Sequence, residues 1–321
     1  MNAAGPGEDR RLDEVYHGGD LTAAGLRFPD APQPWLDLST GINPLAYPVG
    51  ELPGEAWTRL PDGQSIRSLE AVAAAAYGAP DAAMVVAAPG GQALIQLLPR
   101  LLPARRVGIL GPTYGEHEAC WLEAGALVET LDGIEMLEDV DVAVIVNPNN
   151  PDGRLMARDE LARFALRLAR RGGVLIVDEA FMDALKGAAS LVPGLAQANV
   201  IVLRSFGKLY GLAGLRLGFA VASLGLAAII RRALGPWAIS GPAVEIGRRA
   251  LADVRWRHDC VARLIGDAAR LDALLEGAGF AIVGGTPLFR LVRHPRAPQW
   301  FERLGRAGIL TRPFAARPDW L

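Results

Sequence analysis

The sequence contains little lysine and little cysteine. Its two lysines are Lys186 and Lys208, and the other 31 of its 33 basic residues are arginines. Because the sequence uses arginine almost everywhere else for positive charge, the lysine at position 208 indicates a need for an amine and not only for a positive charge. The two cysteines, Cys120 and Cys260, stand far apart without neighbouring clusters of metal-binding residues, so we expect neither a disulfide framework nor a metal site.

The sequence also lacks long apolar runs and a strong excess of charge. No run approaches the roughly 18 apolar residues that would cross a bilayer, and the N-terminal stretch is charged where a signal peptide needs an apolar core. The net charge of −2 gives no reason to expect nucleic acid or a membrane surface as a partner. The two isolated cysteines fit a reducing cytosol, so we expect a cytoplasmic protein.

The stretch from Ser205 to Gly218 surrounds Lys208 with groups that suit an anion. Lysine, unlike arginine, can lose its proton when desolvated and can then attack a carbonyl to form a Schiff base. The Ser205 hydroxyl could donate to a phosphate, and the planar guanidinium of Arg216 could bind the same phosphate. This combination indicates pyridoxal phosphate (PLP) chemistry, although a glycine-rich loop with an incidental lysine would contain the same residue types.

The pattern S-x-x-K-x-x-G-L-x-G-x-R-x-G in this stretch resembles the cofactor-lysine signature of fold-type I PLP enzymes, in the aminotransferase branch. The resemblance extends over nearly all of residues 17 to 321. It implies that PLP is the cofactor, that Lys208 holds it, and that the active site lies at the interface of a homodimer. Leu60 is one departure, because relatives usually have a tyrosine there that reaches the cofactor phosphate of the neighbouring subunit.

Other polar residues follow apolar strands, and ligands of open α/β sheets bind beyond the carboxyl ends of strands. Gly91 and Gln92 open a helix directly after the predicted strand 84–88, so their N–H groups and the helix dipole suit the cofactor phosphate. The apolar run 140–146 leads into NPNNPDG, which resembles the family's NPNNPTG. That resemblance implies a contact between Asn150 and the 3′ oxygen of the pyridoxal ring.

Asp178 and Tyr114 complete the predicted cofactor site. A carboxylate that follows the apolar strand 174–177 is costly without a charged or hydrogen-bonded partner. The protonated pyridine nitrogen of PLP would be such a partner, and its protonation would keep the ring an electron sink. The alternative role for Asp178 is to cap the next helix. Tyr114 stands where relatives stack an aromatic ring on the pyridine; the residue alone could equally pack within its own domain. We interpret His117 as a surface residue or a neighbour of the site.

The N-terminal segments HGGD and LSTGINP carry a second resemblance. Together they resemble the segment that closes over the substrate in threonine-phosphate decarboxylases, which have the same fold. In that family the loop at Gly41 and Asn43 lies near the substrate carboxylate, and the region of His17 and Gly18 lies near the substrate phosphate. These roles are implied for the same positions here. By itself such an irregular loop is more often a plain turn.

The resemblance implies an α/β fold with a large domain, built on a mostly parallel seven-stranded sheet between helices, and a small α+β domain. The predicted divisions are 1–50 for an N-terminal arm and substrate-closing segment, 51–235 for the PLP-binding domain and 236–321 for the small domain. A long helix is predicted across 242–277. Arg312 matches a family arginine near the acidic groups of the substrate. Relatives continue beyond the position of Leu321 with a strand that carries a carboxylate-binding arginine, so we expect a truncated small domain.

Three functions are compatible with this sequence. The resemblance favours PLP-dependent decarboxylation of a small phosphorylated amino acid, L-threonine O-3-phosphate, to (R)-1-amino-2-propanol O-2-phosphate and carbon dioxide, a step of cobalamin synthesis. A histidinol-phosphate aminotransferase would share the cofactor residues and a phosphorylated substrate. A catalytically silent binding protein with this fold is the third hypothesis, because the C-terminal arginine is missing. The HGGD and STGINP segments favour the decarboxylase.

Overall fold

The computed structural model describes residues 17–187, 189–197 and 199–321. Residues 1–16, the first part of the predicted N-terminal arm, lie outside the described residues. The α-helices of the described chain are α1 (Leu21–Arg27), α2 (Glu55–Thr58), α3 (Gly63–Tyr77), α4 (Gly91–Leu101), α5 (Glu116–Glu123), α6 (Arg158–Arg170), α7 (Phe206–Leu209), α8 (Leu224–Leu234), α9 (Gly241–Ala252), α10 (Val254–Gly277) and α11 (Ala297–Arg306). Short 3₁₀ helices span Ala82–Met84, Ile134–Leu137, Met182–Ala184, Val192–Gln197 and Ala213–Leu215.

The strands form one large sheet and two small pairs. They are β1 (Leu36–Asp37), β2 (Val85–Ala88), β3 (Arg106–Leu110), β4 (Leu127–Leu131), β5 (Val142–Val146), β6 (Val174–Asp178), β7 (Val200–Ser205), β8 (Gly218–Ala222), β9 (Ala281–Thr286), β10 (Phe289–Arg293) and β11 (Ile309–Leu310). The large sheet has seven described strands in the order β2-β8-β7-β6-β5-β3-β4. Only β8 runs antiparallel to its neighbours among these strands. The predicted mostly parallel seven-stranded sheet is confirmed.

Side chains of the central strands alternate between two apolar cores, one on each face of the sheet. In β5, Ala143 and Ile145 face the core that contains Phe164 of α6, whereas Val142 and Val144 face the core that contains Trp121 of α5. Because helices cover both faces, every residue of β5 is buried. This burial explains why the strand is a continuous apolar run in the sequence.

Two elements differ from the prediction. Strand β4 was not predicted, because it is an edge strand whose mostly exposed LVETL sequence lacks the apolar run of its neighbours. The helix predicted across 242–277 is two helices, α9 and α10, that meet at Asp253. The Asp253 carboxylate accepts the N–H of Trp256 at 2.9 Å and so caps α10. A capping side chain of this kind competes with a continuous helix.

The N-terminal segment packs on the C-terminal elements. Strand β1 pairs in parallel with β11, and Phe28 just after α1 packs against Phe301 of α11 with ring centroids 6.0 Å apart. Strands β9 and β10 form an antiparallel hairpin beside them. In the part of the chain that the structure describes, no helix is both long and apolar enough to span a membrane.

Candidate active site

A cavity of about 580 Å³ opens at the carboxyl edge of the large sheet. The strand ends of β5, β6 and β7 contribute to it, as ligand sites in open α/β sheets do. Twelve of the thirteen predicted site residues line this cavity: His17, Gly18, Gly41, Gly91, Gln92, Tyr114, Asn150, Asp178, Ser205, Lys208, Arg216 and Arg312. Residues that are distant in sequence therefore converge on one space.

Lys208 lies in the short helix α7, directly after the end of β7. Its Nζ atom lies 5.3 Å from the centroid of the Phe181 ring. Burial lowers the pKa of Lys208 below that of an ordinary lysine, and the positive charges of Arg312 and Arg216 lower it further. The carboxylate of Asp178 acts in the opposite direction. A lysine in these surroundings is more readily deprotonated, and a neutral amine is the nucleophilic form.

The first turn of α4 and Arg216 form an anion-binding end of the cavity. Helix α4 begins after Gly90 without a capping hydrogen bond from any described side chain, so its first N–H groups remain available to a ligand. The guanidinium of Arg216 lies against this turn, because a Cβ atom on Gly90 would be 2.8 Å from its Nη2 atom. Ser205 lines the cavity beside them.

Gly218 permits the close approach of β8 to this turn. A Cβ atom at Gly218 would lie 2.7 Å from the backbone nitrogen of Gly91 and 2.9 Å from the carbonyl carbon of Gly90. Both neighbours are backbone atoms that cannot move aside. The last glycine of the stretch therefore maintains the geometry of the helix start that faces the cavity.

Asp178 forms the acidic part of the cavity wall at the end of β6. Its Oδ1 atom accepts the N–H of Ala180 at 3.0 Å, and its Oδ2 atom lies 3.0 Å from Nε2 of His117. His117 is buried and supports the Asp178 carboxylate. It is therefore a neighbour of the site, and the alternative prediction that it lies on the surface is wrong. Tyr114 lies two residues before α5 and His117 lies in its first turn, with ring centroids 6.2 Å apart.

A chain of hydrogen bonds leads from Tyr114 to the mouth of the cavity. The Tyr114 hydroxyl donates to Oε1 of Gln92 at 3.2 Å, and the amide nitrogen of Gln92 donates to the carboxylate of Glu116. The other Glu116 oxygen lies 3.0 Å from Nε2 of His17. Burial and the neighbouring Glu116 and Asp178 carboxylates raise the pKa of Tyr114 to about 12, so its hydroxyl stays protonated at neutral pH. Glu116 was not predicted from the sequence.

The two N-terminal segments form a single structural unit over the cavity. The Asp37 carboxylate accepts the N–H and the hydroxyl of Ser39, and the Ser39 hydroxyl oxygen accepts the N–H of Gly19. Gly18 lies so close to Ser39 that a Cβ atom would be 2.1 Å from its carbonyl oxygen. The HGGD and LSTGINP segments therefore hold each other in place.

The loop after β5 carries Asn150 into the cavity. Asp152, which replaces the usual threonine of the family motif, accepts the side-chain amide of Asn149 at 2.8 Å and the N–H of Arg154 at 3.0 Å. These bonds fix the turn next to Asn150. Phe181 also lines the cavity and has no hydroxyl, so it cannot hydrogen-bond the cofactor.

The side chain of Asn43 does not point into the cavity, although it was predicted to bind the substrate. It is absent from the described residues that line the cavity, and its buried side chain contacts Leu209, Cys260 and Arg263 instead. The expectation that this side chain binds the substrate is therefore not supported by its position. A loop motif in the sequence shows that the residue is near the site but not which way it points.

The residues of the cavity fit PLP. An uncapped helix N-terminus, a hydroxyl and a guanidinium suit its phosphate, and a desolvated amine suits its aldehyde. The Asp178 carboxylate suits its pyridine nitrogen. These three sets of groups lie around one cavity of a size appropriate for a small ligand.

Comparison with known proteins agrees with this assignment. The profile of the family described as aminotransferase class I and II matches residues 45–321. The threonine-phosphate decarboxylase of a Sinorhizobium species is 45% identical over 310 residues, which are 96% of this chain and 92% of that protein. The threonine-phosphate decarboxylase of Pseudomonas aeruginosa is 43% identical over 303 residues, which are 94% of this chain and 90% of that protein.

Solved structures show the same fold. The crystal structure of histidinol-phosphate aminotransferase from Sinorhizobium meliloti, in complex with pyridoxal 5′-phosphate, superposes with a TM-score of 0.79 at 20% identity. The match covers 97% of this chain and 92% of that one. At 20% identity this similarity shows a shared fold and nothing more specific.

Proposed function

Because the chain belongs to the aminotransferase class I and II family, we propose that it uses PLP to decarboxylate L-threonine O-3-phosphate. The products would be (R)-1-amino-2-propanol O-2-phosphate and carbon dioxide. The observation that carries this proposal is the interlocked HGGD and LSTGINP unit at the mouth of a cavity that contains Lys208 and Asp178. The two near-full-length decarboxylase relatives support the same choice of reaction.

The anion-binding end of the cavity would hold the cofactor phosphate. The N–H groups of Gly91 and Gln92 would donate to it from the start of α4, together with the Ser205 hydroxyl and the Arg216 guanidinium. A phosphate fixed in this way keeps the rest of the cofactor in place during turnover. Tyr114, held by Gln92, would lie against the ring, and Asn150 would donate to the ring oxygen.

When bound, PLP draws electrons from a bond at the substrate Cα atom into its ring. Asp178 would keep the pyridine nitrogen protonated, and His117 holds the Asp178 carboxylate in position. Lys208 would hold the cofactor before substrate arrives and would then deliver a proton to Cα as carbon dioxide leaves. The substrate loses its carboxylate and gains this proton, so the reaction is balanced without an oxidant or a second substrate.

The mouth of the cavity would bind the acidic groups of the substrate. Arg312 lies near enough to Lys208 to influence its pKa, and we assign it to an acidic group of the substrate. His17 and Gly18 line the same region and would enclose the phosphorylated end of the substrate, whereas Gly41 would lie near its carboxylate. A decarboxylase must orient the Cα–carboxylate bond for cleavage, whereas an aminotransferase must orient the Cα–hydrogen bond.

Three wider assignments belong to this proposal. We propose that the chain forms a homodimer, that it works in the cytoplasm, and that its product is used in cobalamin synthesis. The family resemblance supports the first and third. The free, buried thiols of Cys120 and Cys260 are compatible with a reducing compartment.

The deciding experiment is an incubation of the PLP-loaded protein with L-threonine O-3-phosphate, with carbon dioxide and the amine product both measured. We expect both products in equal amounts, and we expect Lys208→Ala to lower the rate on the order of a thousandfold or more. Lys186→Ala is the matched control, because Lys186 is the other lysine of the chain and is an exposed residue outside the cavity.

A parallel incubation with histidinol phosphate and 2-oxoglutarate tests the aminotransferase alternative. Formation of glutamate without carbon dioxide would contradict the proposal and assign the chain to aminotransfer. Absence of turnover in both incubations, with PLP bound, would favour the catalytically silent protein.

A further inference from the structure

Helix α7, which carries Lys208, is a single turn of four residues. The last carbonyl groups of a helix have no partner within it, and a helix this short cannot satisfy its own backbone. Two of these carbonyls accept hydrogen bonds from Asn43. The Asn43 N–H donates to the Lys208 carbonyl at 3.0 Å, and its Nδ2 atom donates to the Leu209 carbonyl at 2.8 Å.

The orientation of the Asn43 side chain is fixed by its neighbours. Its Oδ1 atom accepts the N–H of Leu45 at 3.1 Å and a guanidinium N–H of Arg263 at 3.0 Å. Both partners can only donate, so the oxygen must face them and the NH₂ group must face the Leu209 carbonyl, which can only accept. Asn43 is 2% exposed, so water does not compete for these bonds.

Arg263 connects this contact to the long helix α10. One of its terminal nitrogens donates to Asn43, and the other lies 3.3 Å from the Asp267 carboxylate one turn further along α10. A continuous set of hydrogen bonds therefore runs from α10 through Asn43 to the backbone of the turn that carries the reactive amine.

We propose that Asn43, oriented by Arg263, is a positioning residue for Lys208. It holds the carbonyl end of α7, which fixes the direction from which the Lys208 amine reaches the cofactor aldehyde. It acts through the backbone and does not touch the substrate. The proposal depends on PLP binding and is independent of which phosphorylated amino acid is the substrate.

The test is made without substrate, on protein freed of PLP and then titrated with it. Asn43→Asp keeps the size of the side chain but turns a carboxylate oxygen toward the Leu209 carbonyl, and two acceptors repel each other. We expect the dissociation constant for PLP to rise on the order of tenfold. We also expect a shift in the pH midpoint at which the visible absorption of the loaded protein changes, because that midpoint reports the surroundings of the Lys208 nitrogen.

Variants of Arg263 keep the test valid if Asn43→Asp does not fold. Arg263→Met removes the donor to Asn43 and should raise the PLP dissociation constant severalfold, whereas Arg263→Lys restores a donor and should recover part of the affinity. Asp267→Asn is the matched control, because it changes the exposed partner of Arg263 and leaves the Asn43 contact intact. Its PLP affinity and spectrum should equal those of the unmodified protein.

The results separate positioning from substrate binding and from general stability. Unchanged PLP affinity and spectra in Asn43→Asp and Arg263→Met, with a raised KM for the substrate, would overturn the proposal and return Asn43 to substrate binding. Equal PLP affinity in Arg263→Met and Arg263→Lys would also contradict it. A purely structural role would lower the thermal midpoint of the PLP-free protein and leave the pH midpoint of absorption unchanged.

Discussion

Lys208 is nucleophilic because its amine is buried and because of the charges around it. Burial lowers the pKa of Lys208 most, the Asp178 carboxylate raises it, and the positive charges of Arg312 and Arg216 lower it again. Lysine at an exposed position would be almost fully protonated at neutral pH. The site therefore holds the amine in a less protonated state before the cofactor arrives.

Arg312→Gln tests this electrostatic role. Removing a nearby positive charge raises the pKa of Lys208, so less of the amine is neutral at a given pH. In both the variant and the unmodified protein, we expect the rate of PLP binding to rise with pH. In the variant, the midpoint of this rise should lie at higher pH. The measurement is the growth of the visible absorption after PLP is mixed with the protein over a pH series.

Arg306→Gln is the control for this change, since Arg306 is exposed at the end of α11 and does not line the cavity. Its pH midpoint should equal that of the unmodified protein. An Arg312→Gln midpoint that stays unchanged or moves to lower pH would show that this arginine does not lower the pKa of Lys208.

At the scale of elements, the site depends on how closely β8 approaches α4. Gly218→Ala would place a methyl group against two backbone atoms, so the first turn of α4 would have to move. We expect the PLP dissociation constant to rise by about tenfold or more, since the helix N–H groups lose their alignment with the phosphate. Equilibrium titration with PLP, followed by fluorescence, measures this change.

Gly225→Ala provides the comparison for Gly218→Ala. Gly225 lies in α8, and a Cβ atom there would meet no described atom within 4 Å. Alanine is also the better helix former, so affinity should be unchanged and thermal stability equal or slightly higher. Equal PLP affinities in the two variants would argue against a tight contact at Gly218.

The elements around the site could be predicted where a buried strand appears in the sequence as a continuous apolar run. Strands β5 and β6 are apolar runs that end at polar motifs, so Asn150 and Asp178 could be assigned to the same sheet edge before the structure was known. Edge strand β4 has no such run. The helix break at Asp253 depends on one capping side chain within a stretch that is otherwise typical of a helix.

The direction of individual side chains was less predictable than their neighbourhood. Asn43 was predicted to lie near the substrate carboxylate, but its side chain contacts Arg263, which is more than 200 positions away in the sequence. Glu116 and His117 are ordinary helix-start residues in the sequence, and only the packing of α5 against the sheet edge brings them to Gln92 and Asp178. Long-range packing of this kind leaves no local pattern.

For the whole molecule, exposed apolar side chains indicate a further contact surface. Trp57 and Leu60 are 70% and 67% exposed, and Trp237 lies just before α9, which packs on α2. Large exposed apolar groups on neighbouring elements are typical of interaction sites. They are consistent with the proposed homodimer, in which Leu60 takes the place of a cross-subunit tyrosine.

Trp57→Arg tests this surface. We expect the unmodified protein to sediment at twice the mass of its chain and Trp57→Arg to sediment at the mass of a single chain at micromolar concentration. Leu274→Arg is a suitable control, because Leu274 is similarly exposed, at 63%, but lies near the end of α10 and not on α2 or α9. A single-chain mass for the unmodified protein, or a double mass for Trp57→Arg, would contradict this assignment.

The interlocked N-terminal unit has a consequence for recombination between relatives. Its two segments are joined through Asp37, Ser39 and Gly19, and the Leu38 N–H donates to Leu310, two residues before Arg312. A crossover that brings in only one of these segments would separate parts that are shaped to each other. A functional chimera with altered specificity would therefore have to exchange residues 17–44 and the neighbourhood of Arg312 as one block.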